Sequence, residues 1–239
     1  MDEHTLDPSI EYIKIHGLQR IGTNYLTYLI NENFENTKVL VNLGGWKHGH
    51  YMCPWATGKE LHTLVIVKNP YSWLASIYDY WGPGRSLNIG PDLTGVPFDD
   101  FVRNRICLEP QKDIPYLLRA SNPIQHWNNM NFHWTTIHLN EKSLFVITYE
   151  ALLNNTEKCL DQISKSFSIN RKPNVDNCNN IVLPSGENIH TGEKKWAKKK
   201  FYDDEKYFDL YDSQTIKFVN EQLDLDLMIG FGYEYRGVQ

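Results

Sequence analysis

Gly17-Leu18-Gln19-Arg20-Ile21-Gly22-Thr23-Asn24-Tyr25-Leu26 follows a strand-like run, Ile10 to Ile15, and opens an apolar helix-like run, Thr23 to Ile30. Strand, glycine-bearing turn and helix start together make a cradle for an anion. Gly17 and Gly22 allow a tight turn and a close backbone approach. The first amides of the helix point out of its start, and the helix dipole favours negative charge there. Arg20 adds a planar cation whose fork matches phosphate or sulfate oxygens.

The spacing of Gly17 and Gly22 is that of the phosphate-binding pattern G-x-x-x-x-G-K-[ST]. The two positions that follow do not fit. Thr23 stands where Lys belongs, and Asn24 where a hydroxyl would hold Mg²⁺. An enzyme that handles β- and γ-phosphates relies on both groups. An ordinary strand-to-helix turn capped by Asn24 fits this segment taken alone.

A second segment adds to it. His62 to Val67 is short, apolar and β-branched, as a buried strand is, and Lys68-Asn69-Pro70 ends it. Pro70 suits a first helical turn, and Trp73, Ile77 and Tyr80 then share one helical face. Lys68 thus stands at the carboxyl end of a strand, and Ser76 about two turns into the next helix. Ligands of open α/β sheets bind at that edge. A helix serine bonding its own backbone is the plain alternative for Ser76.

Strands are predicted at Tyr12 to His16, Lys38 to Leu43, Leu61 to Val67 and Leu144 to Thr148. Helices are predicted at Thr23 to Asn33, Tyr71 to Trp81, Phe98 to Arg105, Gln125 to His138, Glu150 to Phe167 and Ser213 to Leu223. Their alternation implies an α/β fold, with a mostly parallel central sheet flanked by helices on both faces. Gly82 to Gly95 reads as a long loop on the ligand side, and Arg171 to Thr191 as a lid or cover. The chain of 239 residues is expected to form one domain over residues 1–239.

In order along the chain, these segments resemble the sulfotransferases that use 3′-phosphoadenosine 5′-phosphosulfate (PAPS). Gln19 to Leu26 is similar to that family's strand–loop signature. Lys68-Asn69-Pro70 with Ser76 matches its R-N-P motif and the Ser eight residues after the Arg. Tyr149-Glu150-Ala151-Leu152-Leu153 matches its Y-E-x-L-L strand end. Val96 to Phe101 and Asn122 to Asn128 look like the segment that passes over the acceptor. Leu223-Asp224 and Phe231-Gly232-Tyr233 are similar to many family C-termini.

The resemblance implies a P-loop-like sulfotransferase fold and transfer of a sulfuryl group from PAPS, leaving 3′,5′-ADP (PAP). The acceptor would be a hydroxyl or amine of a small molecule or carbohydrate. It places Arg20 on the bridging and sulfuryl oxygens, where the family has Lys. It places Gly22, Thr23, Asn24 and Tyr25 on the 5′-phosphate, Lys68 and Ser76 on the 3′-phosphate, and Tyr149 at the nucleotide. Lys194, Lys195 and Trp196 would close over the 3′-phosphate and adenine, although the usual R-K-G triplet is absent.

Gly44-Gly45-Trp46-Lys47-His48-Gly49-His50 follows a predicted strand, and His48 or His50 is a candidate base. The family position favours His48, with Lys47 beside it. The rivals are a P-loop phosphoryl transferase or kinase, and a non-catalytic nucleotide-binding module. Trp46, Tyr51, Trp55, Tyr78, Tyr80 and Trp81 surround the expected site, with Tyr78 and Trp81 read as core.

A net charge of -5 argues against a general nucleic-acid binder. No apolar run spans a bilayer. The acidic start and the scattered Cys53, Cys107, Cys159 and Cys178 point to reduced thiols and a cytoplasmic location. No His, Cys or carboxylate spacing indicates a metal site, and His48-x-His50 lacks further ligands. His190 to Lys194 matches a zinc-finger linker, but the Cys and His pairs of a finger are missing. Asn154-Asn155-Thr156 matches a glycosylation acceptor and is read as a helix-surface coincidence.

Overall fold

In the computed structural model, residues 6–40, 46–50, 61–81, 95–108, 118–136, 143–173 and 199–237 are described. The parallel strands are β1 (Glu11–His16), β2 (Thr37–Leu40), β3 (His62–Val67) and β6 (Ser143–Thr148), in the order β2-β1-β3-β6. β1 and β3 are the inner strands, and all six residues of β3 are buried. A strand covered on both faces has no polar side to alternate, so the unbroken run His62-Thr-Leu-Val-Ile-Val is what its position requires. Helix α1 (Thr23–Asn33) returns the chain from β1 to β2 and buries Tyr25, Leu26, Leu29 and Ile30.

Helix α2 (Pro70–Trp81) begins where the sequence implies. Asn69 Oδ1 accepts from the amides of Tyr71 (3.0 Å) and Ser72 (3.4 Å), and Pro70, which has no amide hydrogen, occupies the first turn. Trp73 and Ile77 are fully buried. The helices α3 (Phe98–Arg103) and α4 (Pro123–Thr136) pack beside it.

The range Glu150 to Phe167, read as one helix, is two: α5 (Tyr149–Asn154) and α6 (Thr156–Phe167). Asn155 leaves the helical region (φ -148, ψ 74), and its side chain accepts from Lys158 N to cap α6. A residue that caps the next helix cannot also continue the last one. Thr156, from the same Asn-Asn-Thr triplet, donates from Oγ1 to Leu152 O.

Helix α3 stops at Arg103, two residues early, because Asn104 turns extended (ψ 144) to enter β4 (Ile106–Leu108). That strand pairs antiparallel with β5 (Leu118–Ala120), a ribbon absent from the sequence reading. The C-terminal region adds α7 (199–203), a 3-10 turn at Lys206–Leu210, α8 (Ser213–Gln222) and α9 (Leu225–Gly230). No helix among the described residues is long and apolar enough to cross a membrane.

Candidate functional site

The turn after β1 is built as the sequence requires. Gly22 has φ 90, and a Cβ there would lie 2.7 Å from the Tyr149 ring, so only glycine fits. Arg20 also takes a left-handed conformation (φ 68), which carries a cost for a side-chain-bearing residue and is typical of functional turns. α2 clamps the turn from beneath: Trp73 Nε1 donates to Gln19 O (2.9 Å) and Trp81 Nε1 to Gln19 Oε1 (3.1 Å). Gly22 is the N-cap of α1 and has no side chain to cap it, and the first turn holds no acidic residue. The helix start therefore keeps its positive end for a ligand.

A cleft of about 410 Å³ opens over this helix start. The turn contributes Gln19, Arg20, Gly22, Thr23, Asn24 and Tyr25 to its wall. Trp46 and His48 come from the neighbouring loop, Ser76 and Tyr80 from α2, Tyr149 from the start of α5 just after β6, and Tyr202 from α7. No carboxylate lines it among the described residues. In a chain of net charge -5 that selects for an anion. The Arg20 guanidinium sits 5.2 Å from the centre of the Tyr80 ring, held by its face.

The 46–50 loop is fixed to the turn at several points. Gly17 N donates to Lys47 O (3.1 Å), and Lys47 Nζ donates to Asn24 Oδ1. His48 Nδ1 lies 2.6 Å from Gly17 O. A carbonyl only accepts, so Nδ1 carries the proton and Nε2 is the basic nitrogen of the neutral ring. Burial pushes the His48 pKa down to about 3, with Lys47 and Lys14 adding to the effect. Burial also lowers the Lys47 ammonium. His50 packs against His133 instead, at 4.5 Å between ring centres, and does not line the cleft.

Lys14, wholly buried in β1, lies below; burial and then Lys47 lower its pKa to about 8. His126 is held neutral in the same region, its pKa pushed to about 3 by burial and then by His50 and His48.

Among the described residues, Lys68 is the one residue predicted to hold the nucleotide that does not line the cleft; Lys47, predicted beside His48, does not line it either. Lys68 is 1% exposed, and its ammonium donates to Tyr202 Oη at 2.8 Å and lies 5.3 Å from the Tyr149 ring centre. Tyr149 and Tyr202 meet edge to face, 5.6 Å apart, and stand between Lys68 and the open space. Burial raises both phenols well above their ordinary range, so they are protonated donors at neutral pH.

Glu150, the second residue of the Tyr-Glu pair, ties three segments together. It accepts from Asn69 N (3.1 Å) and Ser72 Oγ (3.5 Å) through Oε1, and from Tyr233 Oη (2.8 Å) through Oε2. Asn122 to Asn128 and Phe98 to Phe101 do not line the cleft. Asn128 Nδ2 donates to Gln222 O, Trp127 Nε1 to Lys68 O, and Phe98 and Phe101 are core. Tyr78 and Trp81 are core-facing, as expected: Tyr78 donates to Val96 O and packs on Phe98 and Phe101.

Lys194, Lys195, Trp196, Tyr51 and Trp55 lie outside the described residues, as do most of the two long loops. Tyr202 and Gln19 were not singled out from sequence. Gln19 stood inside the quoted signature, whereas Tyr202 had no local signal. Among the described residues, no group of three or more His, Cys, Asp or Glu is placed to hold a metal ion.

No protein-family model and no curated protein sequence matches this chain. Among solved structures it is similar to mouse sulfotransferase SULT7A1 complexed with PAP. The TM-score is 0.52 at 14% sequence identity, over 92% of this chain and 84% of that one. At that identity the likeness is one of fold: the chain has the α/β fold of a sulfotransferase, with a four-stranded, all-parallel sheet among its described residues.

Proposed function

We propose that this chain, folded as a single domain, is a PAPS-dependent sulfotransferase acting on a hydroxyl or amine of a small-molecule or carbohydrate acceptor. The observation that carries the reading is the junction of one uncapped helix start, Arg20 and a His48 whose Nδ1 is fixed on Gly17 O, all on one cleft with no carboxylate among its described lining residues. The solved neighbour of the same fold is a sulfotransferase in complex with PAP.

PAPS, when bound, supplies a sulfuryl group whose bond to the 5′-phosphate breaks as the acceptor attacks sulfur. His48 Nε2 takes the acceptor's proton; its partner nitrogen is held by a carbonyl, which sets the ring's orientation. Arg20 and the amides of Gly22, Thr23, Asn24 and Tyr25 stabilise the charge that moves onto the leaving phosphate and the sulfuryl oxygens. Arg20 does this as a fixed cation and hydrogen-bond donor, since a guanidinium does not give up its proton at ordinary pH. Lys47 holds Asn24 and adds charge behind the turn. The adenosine side is left to Ser76, Tyr149 and the Lys68 region, with Lys194, Lys195 and Trp196 as its proposed cover.

The departures at Arg20 and Lys68 also favour a second reading, a module that binds the nucleotide without turnover. The deciding experiment is calorimetric titration with 3′,5′-ADP, with ATP plus Mg²⁺ as comparison, followed by turnover of PAPS over an acceptor panel. Micromolar, metal-independent binding of 3′,5′-ADP with ATP much weaker supports the proposal. Preference for ATP with Mg²⁺ replaces it with a phosphoryl-transfer reading.

His48→Ala separates the enzyme from the module. The enzyme loses roughly 10²- to 10⁴-fold in turnover and keeps its affinity for 3′,5′-ADP. Because the free-enzyme pKa of His48 is depressed to about 3, its base form is present at all pH values well above that. kcat/KM for PAPS is therefore expected to stay level as pH falls from 8 to 5. A fall near pH 6.5 would assign the base to an exposed histidine.

A further inference from the structure

The sequence put Lys68 in direct contact with the 3′-phosphate, but the fold puts another residue in front of it. Lys68 is 1% exposed, whereas Ser76 and Tyr202 are on the cleft wall. Lys68 Nζ donates to Tyr202 Oη at 2.8 Å. An ammonium has donors only, so the phenol oxygen accepts, and the phenol's own hydrogen is directed away from Lys68. A hydroxyl that accepts from a cation becomes a stronger donor in its turn, since chained hydrogen bonds polarise one another.

The Tyr202 ring is fixed on both sides. It stands edge to face with Tyr149 at 5.6 Å and with Phe201 at 5.4 Å. Such a ring has little freedom to swing aside and expose Lys68.

Resting on the PAPS reading above, we infer that Tyr202 is the residue that meets the 3′-phosphate, with Lys68 behind it supplying charge through their shared hydrogen bond. The pair does in two parts what one arginine fork does elsewhere: Lys68 carries the charge, and Tyr202, beside Ser76, presents the donor. Selectivity for a 3′-phosphate then depends on a phenol 134 positions away from Lys68 in sequence.

The test is calorimetry of the full chain and of Tyr202→Phe, Lys68→Met and the double variant, each with 3′,5′-ADP and with 5′-AMP. Tyr202→Phe removes one oxygen and keeps the ring packing, and its unfolding midpoint reports that the fold is intact. It is expected to weaken 3′,5′-ADP about tenfold, the usual effect of one hydrogen bond to a charged group, and to leave 5′-AMP within twofold. Lys68→Met should weaken 3′,5′-ADP at least as much, and the double variant should lose clearly less than the product of the two single losses, since each residue acts through the other. An unchanged ratio of the two affinities in Tyr202→Phe overturns the inference, as do additive losses in the double variant. If the unsubstituted chain binds neither nucleotide, the PAPS reading falls, and this inference with it. Binding of 3′,5′-ADP that is indifferent to Tyr202→Phe removes this inference alone.

Discussion

Arg20 and Lys68 are two cations at the ends of two adjacent parallel strands, and the fold treats them in opposite ways. Arg20 is exposed on a left-handed turn and leans on the Tyr80 face. Lys68 is buried beside Tyr149 and Tyr202 and donates to the Tyr202 phenol, which lines the cleft. An exposed arginine keeps much of its hydration and still presents its fork. A buried lysine loses water, needs a hydrogen-bond partner, and acts through a medium that screens it little. On the proposed function, the same charge beyond two adjacent strands would act by direct contact in one case and as a relayed field in the other.

The sharpest way to break this contrast is at Arg20. If it directly meets the charge that develops in transfer, Arg20→Ala should lower turnover of PAPS by roughly 10²- to 10³-fold, the usual effect of losing one such donor. Arg20→Lys should recover part of it, because charge is kept and the second donor of the fork is lost. Turnover of the alanine variant within threefold of the parent protein would remove Arg20 from the reaction.

At Lys68 the expected effect is smaller and falls on binding. Lys68→Ala should weaken 3′,5′-ADP by about ten- to a hundredfold, since hydrogen bonds with charged groups contribute about 1.5–3 kcal/mol. 5′-AMP, which has no 3′-phosphate, should change less than threefold. Equal losses for both ligands would mean that Lys68 supports the fold rather than the phosphate, and the comparison with Arg20 would lose its meaning.

The difference between the two cations also marks where the sequence was legible. The Arg20 turn is a local object: two glycines, a strand before and a helix after decide it within ten residues. The inner strand His62 to Val67 and the Asn69-Pro70 start of α2 are equally local, and both came out as read. What Lys68 touches was not legible, because Tyr202 arrives from the far end of the chain. No periodicity or spacing records such a contact. The break at Asn155 was missed because Asn is tolerated within a helix and only its capping bond to Lys158 N reveals the boundary. The β4–β5 ribbon pairs two strands of three residues, too short for an alternation to register. His48 is preferred to His50 on the neighbouring glycines, the paired histidines and the family position; the bond of its Nδ1 to Gly17 O is a contact that spacing does not record.

The mildest prediction tests whether the two sides of the cleft are built independently. Asn69 stands between Lys68 and α2; its side chain caps the helix, and its amide donates to Glu150. Asn69→Ala removes the cap and leaves the amide, so the expected loss of stability is about 1 kcal/mol. For a chain of this size that lowers the unfolding midpoint by roughly 2–4 °C. The freed first turn of α2 carries Ser76 on its second turn, so affinity for 3′,5′-ADP should fall a few-fold. The Arg20 turn is clamped by Trp73, the fourth residue of α2, and by Trp81 at the far end of the helix. Both indoles are buried in the core, and that packing holds them when only the cap of the first turn is lost. Binding of 5′-AMP should therefore hold. A parallel loss of both nucleotides would show instead that α2 moves as one rigid rod, and that the exposed and buried cations answer to the same helix.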